Sequence, residues 1–326
     1  MTATPSSLAA VPTPALPPGA PLWVRRALLV NLVAQVGIVL TGGLVRLTGS
    51  GLGCPTWPEC VPGSYTPTVE QEEGYHKHIE FGNRLLTFVV TLAAIAALVA
   101  VVKHVRRTGA PRRLMLLGAV PFVGVLVQAG LGGVTVLTGL SPVTVAAHFL
   151  VSMVLVAGST VVLLAVGSPS GPAAVRPELK VLGWVIAGLA AVVMVLGTVV
   201  TGSGPHSGDA DRPARLGLDP QVASWVHADA VWLFLGLVTA LVVALRLTDG
   251  PEPARRRARW LLGVTLAQGA VGYVQYLTGL PIAVVAVHML GACLLTISVT
   301  ATVLALTGTP GRRPALPATT VGADAA

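Results

Sequence analysis

Residues 128–150, QAGLGGVTVLTGLSPVTVAAHFL, recur without a gap as residues 268–290, QGAVGYVQYLTGLPIAVVAVHML. A glutamine, the tetrapeptide LTGL and a histidine occupy the same places in both copies. A second tetrapeptide, TGSG, also occurs twice, at 48–51 and at 201–204. The chain is therefore predicted to consist of two homologous halves, with the second half repeating the first.

The overall composition is that of a membrane protein. Of the 326 residues, 53% are hydrophobic and only 10% are charged, and the mean hydropathy is +0.78. Soluble domains carry about 25% charged residues, so this composition excludes a soluble globule and a disordered chain. The formal net charge of +8 does not indicate a nucleic-acid partner, because the Lys and Arg residues lie between apolar runs and not on a polar domain. We therefore expect contact with membrane lipid and none with nucleic acid.

Eight apolar runs are long enough to cross a bilayer as helices. A hydrocarbon core of about 30 Å requires roughly 20 apolar residues in a helix that satisfies its own backbone hydrogen bonds. With four runs in each half, an even number of crossings gives both halves the same orientation in the membrane. The predicted fold is an all-α integral membrane protein with eight transmembrane helices in two parallel-repeat, four-helix halves. The runs are 27–47, 80–102, 114–137, 143–166, 181–201, 223–245, 260–279 and 282–306.

The distribution of Lys and Arg predicts the orientation of these helices. If the N-terminus is inside, the inner segments carry 16 of the 21 Lys and Arg residues, as the positive-inside rule requires. Both termini are then cytoplasmic in a multi-pass protein of the plasma membrane, and the polar loops 48–79 and 202–222 face outward. The predicted divisions are a disordered tail at 1–22, an N-terminal half at 23–166, a cytoplasmic linker at 167–180, a C-terminal half at 181–306 and a disordered tail at 307–326.

Three histidines lie inside the predicted spans, where ionisable residues are costly and indicate function. His148 and His288 are repeat mates near the outer ends of their spans, and His227 lies near the outer start of the sixth span. The equivalent place in the second span holds Asn83. Two neutral imidazoles that face each other across a bundle are a common means of binding a six-coordinate heme. The alternative is that each histidine only hydrogen-bonds a backbone carbonyl or a threonine of the next helix.

Charged residues at the outer membrane boundary have a structural and a functional interpretation. Glu80, Asn83 and Arg84 share one helix face, and the spacing of Glu80 and Arg84 suits an i,i+4 ion pair. Glu80 could instead accept a proton beside a redox centre, because oxidation of a C–H bond releases protons as well as electrons. Arg46 and Arg84 are candidate partners for heme propionates, with interfacial snorkelling as the alternative.

The first outward loop contains the motif CPTWPEC, with Cys54 and Cys60 six residues apart. On an oxidising outer face this spacing predicts a disulfide, which could be a structural staple or a redox-active pair. A zinc site that combines both thiols with His76 and His78 is the competing interpretation. Otherwise the two histidines are surface residues, part of a lid over a substrate, or spare ligands.

Together these motifs resemble the heme A synthase family of cytochrome oxidase assembly, in its actinobacterial form. The resemblance rests on TGGLVRLTGSGLGCPTWPEC at 41–60, IEFGNR at 79–84, TGSGPHSGD at 201–209, and the histidines His148, His227 and His288. It implies a membrane oxidoreductase that converts heme O to heme A for cytochrome c oxidase maturation. The reaction would be two successive oxidations of a ring methyl group to a formyl group, with the inserted oxygen taken from water.

The resemblance also assigns roles to residues in each half. It implies that His227 and His288 hold a heme b cofactor in the C-terminal half. In the N-terminal half it implies that His148 binds the iron of the substrate, heme O, and that Glu80 is the catalytic carboxylate. The family pattern in the second span is Glu-x-x-His-Arg, whereas this chain has Asn83 at the histidine position. Asparagine is a poor iron ligand, which leaves the second axial ligand of the substrate heme open.

Two other function classes compete with this interpretation. A membrane cytochrome that only transfers electrons through heme b would account for the histidine pair, but it would give Glu80 no role. A heme transporter built on the repeat would place its special residues near the membrane midplane, whereas these lie towards the outside. Heme O synthase and the cytochrome c oxidase assembly machinery are the partners expected of a heme A synthase. The electron acceptor and any homo-oligomeric state are left open.

Overall fold

The computed structural model describes residues 20–69, 71–167, 175–209 and 213–309, and these residues form an all-helical protein. The predicted all-α class is confirmed, whereas most of the two predicted tails and half of the linker fall outside the described residues. Within the described ranges there are eight α-helices. They are α1 (Leu22–Leu47), α2 (His76–Thr108), α3 (Arg113–Leu137), α4 (Pro142–Gly167), α5 (Pro177–Ser203), α6 (Pro220–Leu247), α7 (Glu252–Leu277) and α8 (Ile282–Thr307).

Seven of these helices, in the described part of the chain, are long and apolar enough to cross a membrane. The exception is α7, which was predicted as a span at 260–279. Its N-terminal turns carry Glu252 and four arginines, and its second half carries Gln268 and Gln275 between apolar residues. With 26 residues it is still long enough to cross the bilayer core, and it packs between α6 and α8.

The repeated LTGL tetrapeptide forms the same turn in both halves. It connects α3 to α4 and α7 to α8, and its last two residues adopt positive φ in each copy. The φ values are 60° and 57° at Gly139 and Leu140, and 76° and 61° at Gly279 and Leu280. A leucine rarely adopts this left-handed conformation, so its occurrence in both copies shows that the two halves share a backbone geometry as well as a sequence.

The helices form two four-membered rings. In the first ring α1, α2, α3 and α4 each pack against the next and α4 closes on α1, and in the second ring α5 to α8 do the same. The rings meet where α8 packs against α1 and α4, with a shared core that includes Leu32, Val39, Val156 and the free thiol of Cys293. Cys293 is therefore a small core residue. Within each ring, α2 is diagonal to α4, and α6 is diagonal to α8.

The outer loops join the two halves a second time. The amide of Gly51 donates a hydrogen bond to the carbonyl of Gly208 at 2.9 Å. Within the second half, Nε2 of His206 lies 3.0 Å from the carbonyl oxygen of Leu280, in the repeated turn. The first contact joins the outer ends of the two rings, and the second attaches the loop after α5 to its own ring, at the end of the molecule where the candidate site residues lie.

Candidate functional site

A buried polar group at the outer end of the first ring is the carboxylate of Glu80, in the second turn of α2. It is 5% exposed. Oε1 accepts hydrogen bonds from Nε and Nη2 of Arg84 at 3.1 and 2.7 Å, and Oε2 accepts one from the amide of Cys54 at 2.7 Å. The i,i+4 ion pair expected from the spacing is present. Three N–H donors therefore fix the orientation of a carboxylate that is shielded from water.

Arg84 connects this carboxylate to the loop above it. Besides Glu80, its Nη2 donates to the carbonyl oxygens of Cys54 and Thr56 at 2.8 and 3.0 Å, and its Nη1 donates to that of Glu59 at 3.2 Å. A guanidinium has five N–H donors, so little of this one is left for another partner. A heme propionate at Arg84 would be limited to the remaining Nη1 hydrogen.

The loop itself contains the Cys54 and Cys60 pair. The two sulfur atoms lie at bonding distance, with an S–S separation of 2.00 Å, and both residues are fully buried. A disulfide has no thiolate to offer a metal, which removes the zinc interpretation of these cysteines. Within the described ranges no group of three or more His, Cys, Asp or Glu residues is arranged to hold a metal ion.

Two glycines allow the loop to pack closely on the helices. A Cβ placed on Gly53 would lie 2.4 Å from the carbonyl oxygen of His76, at the start of α2. A Cβ placed on Gly133, in α3, would lie 2.4 Å from the indole ring of Trp57. Because the first of these contacts is with backbone atoms, a larger residue at Gly53 would have to move the whole loop. The disulfide loop is thus a close-fitting cover on the outer ends of α2 and α3.

His76 and His78, predicted as surface or lid residues, have different surroundings. His78 is exposed, as expected of a surface residue. His76 is partly buried, and its Nδ1 lies 2.8 Å from the hydroxyl of Ser50, which is itself fully buried. Ser50 was not singled out from the sequence. It belongs to the TGSG repeat, and that recurrence was the available signal.

Lys77 is a further residue that the sequence reasoning missed. It is 8% exposed, and its ammonium group donates to the carbonyl oxygens of Thr68 at 2.6 Å and Gln71 at 3.4 Å. These bonds attach the far end of the loop to α2. The signal was the helical spacing, because Lys77 precedes Glu80 by three residues and Arg84 by seven, on the same helix face.

In the second ring, His227 on α6 and His288 on α8 occupy diagonal helices and lie within electrostatic range of each other. Nδ1 of each ring is buried without a hydrogen-bond partner among the described residues. The backbone of Val193, on α5, faces His227. The amide of Gln268 donates to the carbonyl oxygen of His288 at 2.8 Å and so ties α7 to α8 at this level.

The first ring repeats this arrangement with one substitution. His148 on α4 is diagonal to Asn83 on α2, and Gln128 donates to the carbonyl oxygen of His148 at 2.9 Å, as its repeat mate does in the second ring. Nδ1 of His148 is likewise buried without a partner within the described ranges. Oδ1 of Asn83 accepts a hydrogen bond from the hydroxyl of Thr41, on α1, at 2.8 Å. Thr41 and the two glutamines were not predicted as site residues, although the repeat contains the glutamines.

Arg46 lies at the junction of the two halves. Its Nη2 donates to the carbonyl oxygen of Thr201, at the end of α5, at 2.9 Å. Its Nε is buried without a hydrogen-bond partner in the part of the chain that the structure describes. Because one polar edge of the guanidinium is unpaired at the outer boundary, Arg46 fits an anionic group better than Arg84 does.

The donor set in each ring suits a heme. Neutral imidazoles are common axial ligands of heme iron. The second ring offers two such histidines on diagonal helices, whereas the first ring offers His148 alone with Asn83 opposite. The residues present therefore fit two heme groups with different axial ligation.

Comparison with known proteins gives a consistent result. The family model described as cytochrome oxidase assembly protein, COX15-CtaA, matches residues 25–206. The heme A synthase of Symbiobacterium thermophilum is 28% identical over 279 residues, which are 79% of this chain and 89% of that protein. The heme A synthase of Lysinibacillus sphaericus is 37% identical over 127 residues, 37% of this chain and 38% of that protein. A protoheme IX farnesyltransferase of Chloroflexus aurantiacus is 29% identical over 194 residues, 56% of this chain and 32% of that protein.

Proposed function

The chain belongs to the COX15-CtaA family of cytochrome oxidase assembly proteins, and we propose that it is a heme A synthase. It is a multi-pass membrane oxidoreductase. The observation that carries the proposal is the buried Glu80 carboxylate, fixed by three N–H donors at the outer end of the ring that also contains His148. An electron-transfer cytochrome would have no use for such a group beside a heme site.

The substrate is heme O, whose ring methyl group is oxidised in two steps to a formyl group. Each step releases two electrons and two protons, and water supplies the oxygen atom. Glu80 accepts a proton at Oε2, the oxygen that has a single hydrogen bond, because Oε1 is occupied by two bonds from Arg84. The disulfide loop excludes bulk water from this carboxylate, and Arg84 holds the carboxylate in position.

Heme O binds in the first ring through His148, with the amide of Asn83 on the diagonal helix. The lack of a second imidazole makes the iron weakly ligated on the Asn83 side, which helps the product to leave. Arg46 pairs with a propionate of one heme at the junction of the halves, and Arg84 contributes at most its one remaining N–H. His227 and His288 would hold heme b in the second ring, and that cofactor would supply one-electron redox chemistry.

The orientation of the chain follows from its charges. Arginines at the start of α7 and lysine and arginine at the end of α2 mark the cytoplasmic face, so both termini are cytoplasmic and the disulfide loop faces outward. The plasma membrane is its proposed location. A heme O synthase must supply the substrate, and assembly of cytochrome c oxidase consumes the product.

The role of Glu80 is tested by Glu80→Gln in the full-length protein. Glutamine keeps the size of the side chain and its acceptor oxygen but cannot take up a proton at neutral pH. We expect heme A formation from heme O to be abolished while the heme b content stays unchanged. Glu252→Gln, which alters an exposed ion pair at the start of α7, is the matched control and should retain activity. Normal heme A formation by Glu80→Gln would reduce Glu80 to a structural partner of Arg84.

The location of heme b is tested separately. His227→Ala and His288→Ala each remove one axial ligand, so both purified variants should lose the low-spin heme b spectrum. His148→Ala should keep that spectrum and lose activity with heme O. Normal heme b spectra in both second-ring variants would contradict the assignment, whatever happened to heme A formation.

A further inference from the structure

Each membrane histidine lies against a glycine of the helix that precedes its own. A Cβ built on the facing glycine would lie 3.3 to 3.5 Å from Cε1 of the imidazole in all three cases. Contacts at the short end of this range are tighter than carbon atoms normally make. The pairs are Gly132 with His148 at 3.5 Å, Gly197 with His227 at 3.3 Å, and Gly272 with His288 at 3.4 Å.

On the remaining even-numbered helix, α2, Asn83 occupies the equivalent position. A Cβ built on Gly42, in α1, would lie 3.7 Å from Nδ2 of Asn83. All four even-numbered helices therefore present a nitrogen-bearing side chain to a glycine on the preceding helix. The repeat has kept this geometry even where the histidine is replaced.

The glycines of these pairs differ from others in the same helices. A Cβ on Gly188, in α5, or on Gly269, in α7, would meet no atom within 4 Å outside its own helix. In the same two helices, a Cβ on Gly197 would lie 3.3 Å from Cε1 of His227, closer than carbon atoms normally approach, and a Cβ on Gly272 would lie 3.4 Å from Cε1 of His288, at van der Waals contact. At Gly197 and Gly272 the imidazole ring of the facing histidine therefore occupies the space that a side chain would otherwise fill.

We propose that Gly197 and Gly272 are positioning residues that set the ring orientation of His227 and His288. This rests on the proposed function, in which these two histidines hold heme b. With the glycine in place, the ring lies directly against the backbone of the neighbouring helix and is prevented from rotating towards it. The bond from Gln268 to the His288 carbonyl holds α7 and α8 together at that level, so the helix cannot retreat to make room.

The nature of the contact predicts a graded response. Alanine at Gly197 places a methyl group 3.3 Å from Cε1 of His227, which is about the shortest distance that two carbon atoms normally keep. The imidazole ring must therefore move by a few tenths of an ångström. Valine adds two methyl groups and is expected to turn the ring out of its ligand orientation. Since ring orientation sets the electronic structure of a bis-imidazole heme, small displacements should appear in the spectrum and the reduction potential before heme is lost.

The experiment uses the full-length chain, purified from cells that make heme. The variants are Gly197→Ala, Gly197→Val, Gly272→Ala and Gly272→Val, with Gly188→Val and Gly269→Val as controls in the same two helices. We expect the alanine variants to retain heme b with altered low-spin electron paramagnetic resonance signals and a shifted potential. The valine variants should fall to less than a tenth of the low-spin heme of the unmodified protein, and both controls should match the unmodified protein.

The outcomes separate the inference from the function on which it rests. If the unmodified protein contains no low-spin heme b, the proposed function fails. If it does, and the Gly197 and Gly272 variants behave like the controls, only the positioning role is overturned. Should the valine variants fail to accumulate in the membrane, the alanine variants decide, because unchanged signals and potential in both would contradict the proposal.

Discussion

Arg84→Ala tests how the disulfide loop is held over Glu80. Among the described residues, Arg84 is the one side chain that pairs with the carboxylate and also bonds the loop carbonyls of Cys54, Thr56 and Glu59. Its removal leaves a buried carboxylate without a countercharge and three carbonyl oxygens without this donor. We expect the loop to open far more often, because opening lets water satisfy all of these groups.

The size of the effect follows from the burial of the pair. Removing one partner of a fully buried ion pair costs about 3–5 kcal/mol. The Arg84 side chain is 22% exposed, so we take the lower limit, about 3 kcal/mol. Since about 1.4 kcal/mol corresponds to a factor of ten, the open population should rise roughly 150-fold. Arg84→Lys keeps the charge but loses the planar guanidinium, which bonds several acceptors at once. We therefore expect the open population to rise about tenfold.

The rate of disulfide reduction measures loop opening. Cys54 and Cys60 are fully buried, so a water-soluble phosphine reductant can reach the sulfurs only when the loop opens. Timed reduction in detergent, followed by alkylation of the released thiols and mass spectrometry, gives the rate for each variant. When opening and closing are fast relative to reduction, the ratio of rates reports the ratio of open populations.

A matched control separates this local effect from general loss of stability. Arg255→Ala breaks an exposed ion pair with Glu252 at the start of α7, where solvent screens the interaction and its contribution to stability is small. Its reduction rate should stay within about twofold of the unmodified protein. If Arg84→Ala also stays within threefold, Arg84 does not hold the loop and the account of this cluster is wrong.

Three further predictions address the same end of the molecule. Asn83→His should convert bound heme O from a high-spin to a low-spin absorption spectrum, because it supplies a second imidazole. Alkylation of the freshly isolated, unreduced protein should leave Cys54 and Cys60 unlabelled in mass spectrometry, and labelling of both would contradict the disulfide. Gly53→Ala should accelerate disulfide reduction, because the added Cβ would lie 2.4 Å from the carbonyl oxygen of His76; an unchanged rate would show that the loop tolerates the methyl group.

The helices and the repeat could be predicted from the sequence because both depend on local composition. The apolar runs predicted all eight helices, with ends that differ from the structure by at most eight residues, and the two LTGL copies form the same turn. The one weak point was α7, where glutamines interrupt the apolar pattern. The side-chain amide of Gln268 donates a hydrogen bond to the carbonyl oxygen of His288 on the next helix, which explains a polar residue at this position. Composition alone cannot show such a contact.

The details of the site could be predicted only in part, because they involve backbone groups of distant segments. The spacing of Glu80 and Arg84 predicts their ion pair, since both lie on one helix face. It cannot predict that the amide of Cys54, 26 residues away, donates to the same carboxylate. The direction in which a loop presents its N–H and carbonyl groups depends on how it folds. Here the fold of the loop depends on the close packing of Gly53 against the start of α2 and on the hydrogen bonds from the ammonium group of Lys77 to the loop carbonyls.

The central claim, that the chain makes heme A from heme O, is tested most directly by pigment extraction. Cells that lack their own heme A synthase would co-express this chain with a heme O synthase, and the extracted hemes would be separated and identified by mass. We predict heme A, with a formyl group in place of the ring methyl group, together with heme b from the purified protein. Heme O as the sole product of the co-expressing cells, with this chain present in the membrane, would contradict the account.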